Sequence, residues 1–225
     1  MTLIDRWTAL FNADGGAGTS ADAATAVRSA GLDLIARYEE PHRRYHTLQH
    51  LTEVLDMVDE LSAEADDLAA VRLAAWFHDA VYASGPGHAQ DTVSNEEASA
   101  RLAELVLTSL GEPTTRVAEV ARLVRLTEYH TTQDGDRNAA VLFDADLAIL
   151  AAEPARYEEY TQAVREEYQD IPDELFRPGR AQILAALLNA PALYRTPAAH
   201  SRLEPRARAN VIAEISRLQP VNEPR

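Results

Sequence analysis

The chain has 225 residues, 46% hydrophobic and 25% charged, enough to bury a core without covalent staples. It has no Cys, and all 21 basic residues are Arg. Thiolate ligands, iron–sulfur clusters, Cys nucleophiles, Schiff-base lysines and a Walker-type phosphate lysine are thereby excluded. With 36 acidic residues the formal net charge is -15, which disfavours nucleic acid polymers and anionic membrane as partners but leaves room for a local Arg patch around a small phosphate.

Helical periodicity dominates the chain. Leu3, Ile4, Trp7, Leu10 and Phe11 predict a first amphipathic helix, broken by GGAG at 15–18. Ser20 or Asp22 caps a second, which carries Val27, Leu34, Ile35 and Tyr38 and ends near Pro41. A third is expected over 47–63, with Leu48, Leu51, Leu55, Val58 and Leu61. The fourth, over 66–82, is apolar on nearly every face from Leu68 onward and reads as a buried central helix. SGPGH at 84–88 reads as a loop. Further helices are expected over 95–110, 115–130, 138–152, 155–168, 178–189 and 203–218, with Gly or Pro at most of the breaks. No alternating strand, internal repeat or long linker interrupts the pattern, and IPDELFRPG at 171–179 is the one hinge candidate. The expectation is an all-α, single-domain helical bundle over 1–220 with a disordered tail over 221–225. No apolar run approaches transmembrane length and the start lacks a secretory pattern, so the expected location is cytoplasmic.

The chemistry is carried by polar residues on apolar stripes. His78 lies on the stripe Val71, Ala74, Ala75, His78, Val81, Tyr82, where two Ala leave room beside the imidazole. Asp79 follows about 100° round a helix and converges on the rim of that stripe. Asp146 lies on the core stripe Leu142, Ala145, Asp146, Ile149, Leu150, whereas Asp144 is expected to point largely away. His46 and His50 share a face one turn apart. Singly, each has an ordinary structural reading as a hydrogen-bonded core histidine, an Arg-paired acid or a helix-start pair. Jointly, His50, His78, Asp79 and Asp146 form a two-imidazole, two-carboxylate set drawn from three helices. Nitrogen and oxygen donors without sulfur suit Mn²⁺, Fe²⁺, Co²⁺, Ni²⁺, Zn²⁺ or Mg²⁺.

RRYHTLQHLTEVL at 43–55, WFHDAVY at 76–82, NEEASA at 95–100 and FDADLAIL at 143–150 together resemble the HD-domain superfamily. More narrowly they resemble its predicted metal-dependent phosphohydrolase branch. VREEY at 164–168, PGR at 178–180, Glu204 and ARAN at 207–210 extend the resemblance over nearly the whole chain. It implies a helical bundle around a metal held by His50, His78, Asp79 and Asp146. His50 is preferred to His46 because Leu51 and Val54 follow it in the family's pattern. The implied activity is hydrolysis of a small phosphate ester, a nucleotide among the candidates, by a metal-activated water. One divalent ion is expected, with a second as the variant seen in some relatives.

The catalytic candidates around that set are His46, Glu96 and His130. His46 would orient water or protonate a leaving oxygen, Glu96 would act as a base, and His130 would flank the substrate. Arg43, Arg165, Arg180 and Arg208 are candidates for holding phosphate oxygens, with Arg43 first. Tyr129 and Tyr168 read as core. The segment 82–95 is expected to form a mobile rim over the site. A di-iron oxygenase on the same fold and a non-catalytic nucleotide-binding or interaction protein are the alternatives, and the oligomeric state is left open.

Overall fold

The fourth helix, α4 (Leu68–Phe77), organises the rest. In the computed structural model, which describes residues 1–12, 20–83, 93–130 and 133–219, Ala70, Val71 and residues 73–77 of this helix are all buried. Leu68 and Ala69 in its first turn are half-buried, and Arg72 reaches outward to Asp59. Asp67 caps its first turn by accepting the Ala70 N–H. A helix apolar all round must be covered on every side. It packs against α3 (Leu48–Glu60), α5 (Asn95–Ser109), α6 (Thr114–Leu126) and α7 (Arg137–Asp146).

Two helices at the start, α1 (Leu3–Asn12) and α2 (Ala21–Tyr38), pack on each other, and a short 3-10 turn, Ser62–Glu64, links α3 to α4. A second, Leu147–Ala151, prolongs α7. The chain then runs through α8 (Pro154–Glu167), α9 (Asp173–Asn189) and α10 (Pro197–Leu218). Among the described residues there are ten α-helices and no strand, in agreement with the all-α expectation. Among the same residues no helix is long and apolar enough to cross a membrane.

Several boundaries differ from the periodic reading. α4 stops at Phe77, so His78 and Asp79 lie on the turn beyond it rather than inside a helix reaching 82. The Ala80 N–H bonds back to the Phe77 carbonyl, tightening the turn. Arg43 takes the Asp79 and Ala80 carbonyls, at 2.8 and 3.4 Å. α6 ends at Leu126, and residues up to His130 form a terminating turn. The hinge expected at 171–179 is instead the opening of α9, with Pro178 inside the helix, and α10 starts at Pro197 and contains Pro205. A helical proline orphans the carbonyl four residues earlier. Here those carbonyls belong to Glu174 and Ser201, both exposed to solvent. Most of the expected rim, residues 84–92, lies outside the described residues, as do GGAG at 15–18 and the tail 221–225.

α1 and α2 close the bundle over the end of α4. Trp7 is fully buried, edge-on to Trp76 and Phe77 with ring centroids 5.3 and 6.0 Å apart, and its indole N–H donates to the Val27 carbonyl at 2.7 Å. The indole fits only because residue 31 is Gly: a Cβ there would lie 2.3 Å from Trp7 Cδ1. Gly31→Ala should therefore destabilise the fold by about 1–3 kcal/mol despite its better helix propensity. Urea denaturation measures this, and a neutral or stabilising effect would show that α1 is free to shift.

Candidate metal centre

Three helix ends meet at one place. His50 projects from the first turn of α3, His78 caps the C-terminus of α4, and Asp146 is the last residue of α7. The C-termini of α4 and α7 bring partial negative charge to the same spot, which favours a cation. The carboxylate of Asp79 joins from the turn after α4.

The donor atoms are close. His50 Nε2 lies 3.1 Å from His78 Nε2, 3.4 Å from Asp79 Oδ2 and 3.3 Å from Asp146 Oδ1. His78 Nε2 lies 3.0 Å from Asp79 Oδ2 and 3.6 Å from Asp146 Oδ1. Bonds of about 2.1 Å to one ion set neighbouring donors roughly 3.0–3.4 Å apart. His50, His78 and Asp146 each offer a donor within 4.8 Å of the others and can hold a metal ion. The Asp79 distances place it beside the same point. His78 Nδ1 is 2.8 Å from the Ala75 carbonyl, so Nδ1 carries a hydrogen and, in the neutral ring, Nε2 carries the lone pair. Both imidazoles are 2% exposed while both carboxylates are 17% exposed, so the site is walled by histidine and opens on its carboxylate side.

Other expected residues fall at different distances from this point. His130 Nε2 lies 2.9 Å from Asp146 Oδ2, so it touches a carboxylate of the cluster rather than only flanking a substrate. Its φ of 47° is in the left-handed region, and Arg195 holds its carbonyl. His46 stacks on Tyr82 with centroids 4.2 Å apart, lies 5.6 Å from the His50 ring, and presents Nδ1 to Glu167 Oε2 at 2.7 Å. Glu96 is half-buried in the first turn of α5 and makes no hydrogen bond or ion pair among the described residues, whereas Glu97 is taken up by Arg101 and Arg125. Tyr129, expected in the core, is 71% exposed.

The arginines proposed for phosphate are engaged internally. Arg43 is buried, bonded to the carbonyls of His46, Asp79 and Ala80 and to Glu40. Arg165 binds Asp173 and the Tyr168 and Ile171 carbonyls, closing the turn between α8 and α9. Arg180 binds Glu214 and Tyr160, and Arg208 binds Glu204 and the carbonyls of Leu188 and Ala190. Each guanidinium closes a turn or a helix contact because unpaired backbone carbonyls or carboxylates surround it. Asp144 also departs from expectation. It is fully buried and accepts from the N–H groups of Arg195 and Thr196 and from the Thr196 hydroxyl, fastening the start of α10.

Sequence reasoning missed two residues of the site. The Glu167 carboxylate accepts the backbone N–H groups of Arg44, Tyr45 and His46 at 2.8, 2.8 and 3.0 Å, and the Tyr82 hydroxyl at 3.0 Å. Burial would raise its pKa, but His46 and those donors outweigh it and hold it at about 2. Tyr45 packs 4.7 Å from the His50 ring and 4.6 Å from the Tyr160 ring. Its hydroxyl is buried without a hydrogen-bond partner among the described residues. The only signal for either was position: Glu167 falls on the buried face of an amphipathic helix, and Tyr45 directly precedes His46.

Comparison of the chain with protein-family models, curated proteins and solved structures finds no match. That His50, His78 and Asp146 can hold a metal ion rests on their geometry and chemistry.

Burial favours neutral imidazoles, yet hydrogen bonds and charge from Asp146 and Asp79 raise the pKa of both His50 and His78. Burial likewise opposes the two carboxylates, but His78, His46 and His50 lower Asp79, and His130, His50 and His78 lower Asp146. In the metal-free protein the imidazoles add stability below about 6.5, lost as pH rises through their raised folded values. The carboxylates add stability above about 3.9, lost as pH falls through their lowered values. A metal competes with the imidazole protons. Metal binding near neutral pH should release protons, and affinity should weaken as pH falls. Titration calorimetry in buffers of different ionisation enthalpy measures the release, and its absence would mean that the imidazoles are already neutral.

Proposed function

We propose that the chain is an HD-type, metal-dependent phosphohydrolase acting on a small phosphate ester, with nucleotides as the first class to test. The observation that carries this reading is the cluster in which each buried imidazole nitrogen lies 3.0–3.6 Å from the other and from an oxygen of both Asp79 and Asp146. A divalent ion held there supplies Lewis-acid polarisation of a phosphoryl oxygen and a water of lowered pKa. His50 and His78 form the closed wall, and Asp79 and Asp146 balance the cation at the open side. His130 on Asp146 Oδ2 orients that carboxylate so that Oδ1 faces the imidazoles.

His46 and Glu167 supply the proton chemistry. With Nδ1–H donating to Glu167, the neutral imidazole carries its lone pair on Nε2, which no protein group occupies among the described residues. That nitrogen takes a proton from an attacking water, or returns it to the leaving oxygen. Net charge and a site lodged between helix ends support a small substrate over a polymer.

Asp79→Ala should keep the helical fold, lower bound metal and abolish turnover in a phosphate-release screen over nucleotides and sugar phosphates. Elemental analysis and circular dichroism separate these effects. Full activity in this variant would refute the metal role of Asp79, and no turnover of any ester by metal-loaded wild type would refute the hydrolase. Glu167→Gln presents an amide N–H to His46 Nδ1 and should move the imidazole hydrogen to Nε2. The expected result is retained metal with kcat reduced about 10²–10⁴-fold, as when a buried acid that fixes a catalytic histidine is neutralised. Nitrogen NMR of His46 checks the tautomer independently of activity.

A further inference from the structure

The Tyr45 hydroxyl is the buried side-chain polar atom that the protein leaves without a partner among the described residues. Buried hydroxyls are costly unless they are bonded, so an unpartnered one beside a binding centre points to a group that arrives from outside. Its position is fixed from both ends. The backbone N–H donates to Glu167 at 2.8 Å, and the ring is wedged between His50 and Tyr160. Nearby carboxylates do not satisfy it. Glu53 gives its oxygens to Arg156 and Gln49, and Asp146 gives its two to the imidazoles.

Tyr160 is prepared in the same sense. Arg180 Nη2 donates to its oxygen at 2.6 Å, so the phenolic hydrogen must point elsewhere, and no group among the described residues accepts it. Arg180 is held by Glu214 at 2.9 Å, and Glu214 also accepts from the Tyr157 hydroxyl at 2.5 Å. The guanidinium thus fixes Tyr160 as a donor without itself reaching a ligand.

Charge balance shows what such donors are for. Asp79 and Asp146 neutralise a divalent ion, so an incoming phosphoryl group brings uncompensated negative charge. Arg43, Arg165 and Arg180 are all spent on internal partners. Neutral hydroxyls beside His50 can supply the hydrogen-bond donors instead, and they recognise only ligands that present acceptors.

We propose that Tyr45, with Tyr160 beside it, donates its hydroxyl hydrogen to an oxygen of a phosphoryl group bound at the metal centre. This rests on the metal-centre reading above and adds to that centre a hydroxyl donor beside the His50 imidazole. The test measures inorganic phosphate binding to manganese-loaded wild type, Tyr45→Phe and Tyr160→Phe by calorimetry, together with manganese content and Tm. The expected result is phosphate affinity weakened tenfold or more in Tyr45→Phe and less in Tyr160→Phe. Manganese content should stay unchanged, and the Tm of Tyr45→Phe should be equal to or above wild type, because an unsatisfied group has been removed. Tyr160→Phe carries the test if Tyr45→Phe does not fold.

Equal phosphate affinity in wild type and both variants overturns the proposal, as does absence of phosphate binding to wild type. A fall in Tm with phosphate affinity unchanged also overturns it, marking the hydroxyl as the anchor of an internal water. Tyrosine-dependent phosphate binding without turnover of any ester upholds this inference and removes the hydrolase. Turnover with full activity and phosphate affinity in the variants does the reverse.

Discussion

Two imidazoles and two carboxylates packed against the end of a helix that is apolar but for Arg72 set the terms for everything around them. Charges withdrawn from water must be matched where they lie. The four groups do part of this for one another, which is why both histidines are driven toward protonation and both aspartates away from it. The surrounding protein then acts to keep stray charge out. Arg43 collects the carbonyls of His46, Asp79 and Ala80 that would otherwise crowd the site with unpaired acceptors, while the Tyr38 and Tyr82 rings face its guanidinium at 5.1 and 5.4 Å.

Three of the acidic residues do structural work inside the molecule. Glu167 gathers three consecutive N–H groups of the segment leading into α3. Asp144 gathers those at the head of α10, and Glu204 those of Leu193 and Tyr194. Each buried carboxylate thus substitutes for the missing hydrogen-bond partners of a segment that is not helical. An all-α protein with long connections must satisfy those segments somehow, and this chain does it with acids placed on distant helices.

That arrangement also explains what could be read in advance. The apolar run of α4 made it the centre, and the core stripe of α7 selected Asp146 as the residue facing the cluster. Both are local periodicities, visible within a few turns. Asp144 was misplaced because its partners, Arg195 and Thr196, are 51 and 52 residues away and no local pattern announces them. Arg43 looked free to bind phosphate for the same reason: its partners Asp79 and Ala80 lie 36 and 37 residues on. The prolines in α9 and α10 concealed helix starts because local rules count a helical proline as a break. They do not record that the orphaned carbonyl faces water.

His130 shows how distant parts of the chain are brought to bear on the centre. Its left-handed backbone ends the turn after α6, a conformation unfavourable for a residue with a Cβ by about 1 kcal/mol. Arg195, from the connection between α9 and α10, holds the His130 carbonyl, and its guanidinium lies over the Phe143 ring at 5.1 Å. The backbone of that same Arg195 is bound by Asp144, two residues before Asp146 on α7. One residue therefore ties the exit of α6 and the end of α7 to the approach to α10. The strained turn is maintained because relaxing it would free Arg195, the Asp144 cap and the bond from His130 to Asp146 together. The orientation of the Asp146 carboxylate is in this sense set by the C-terminal third of the chain, although that third contributes no donor to the cluster.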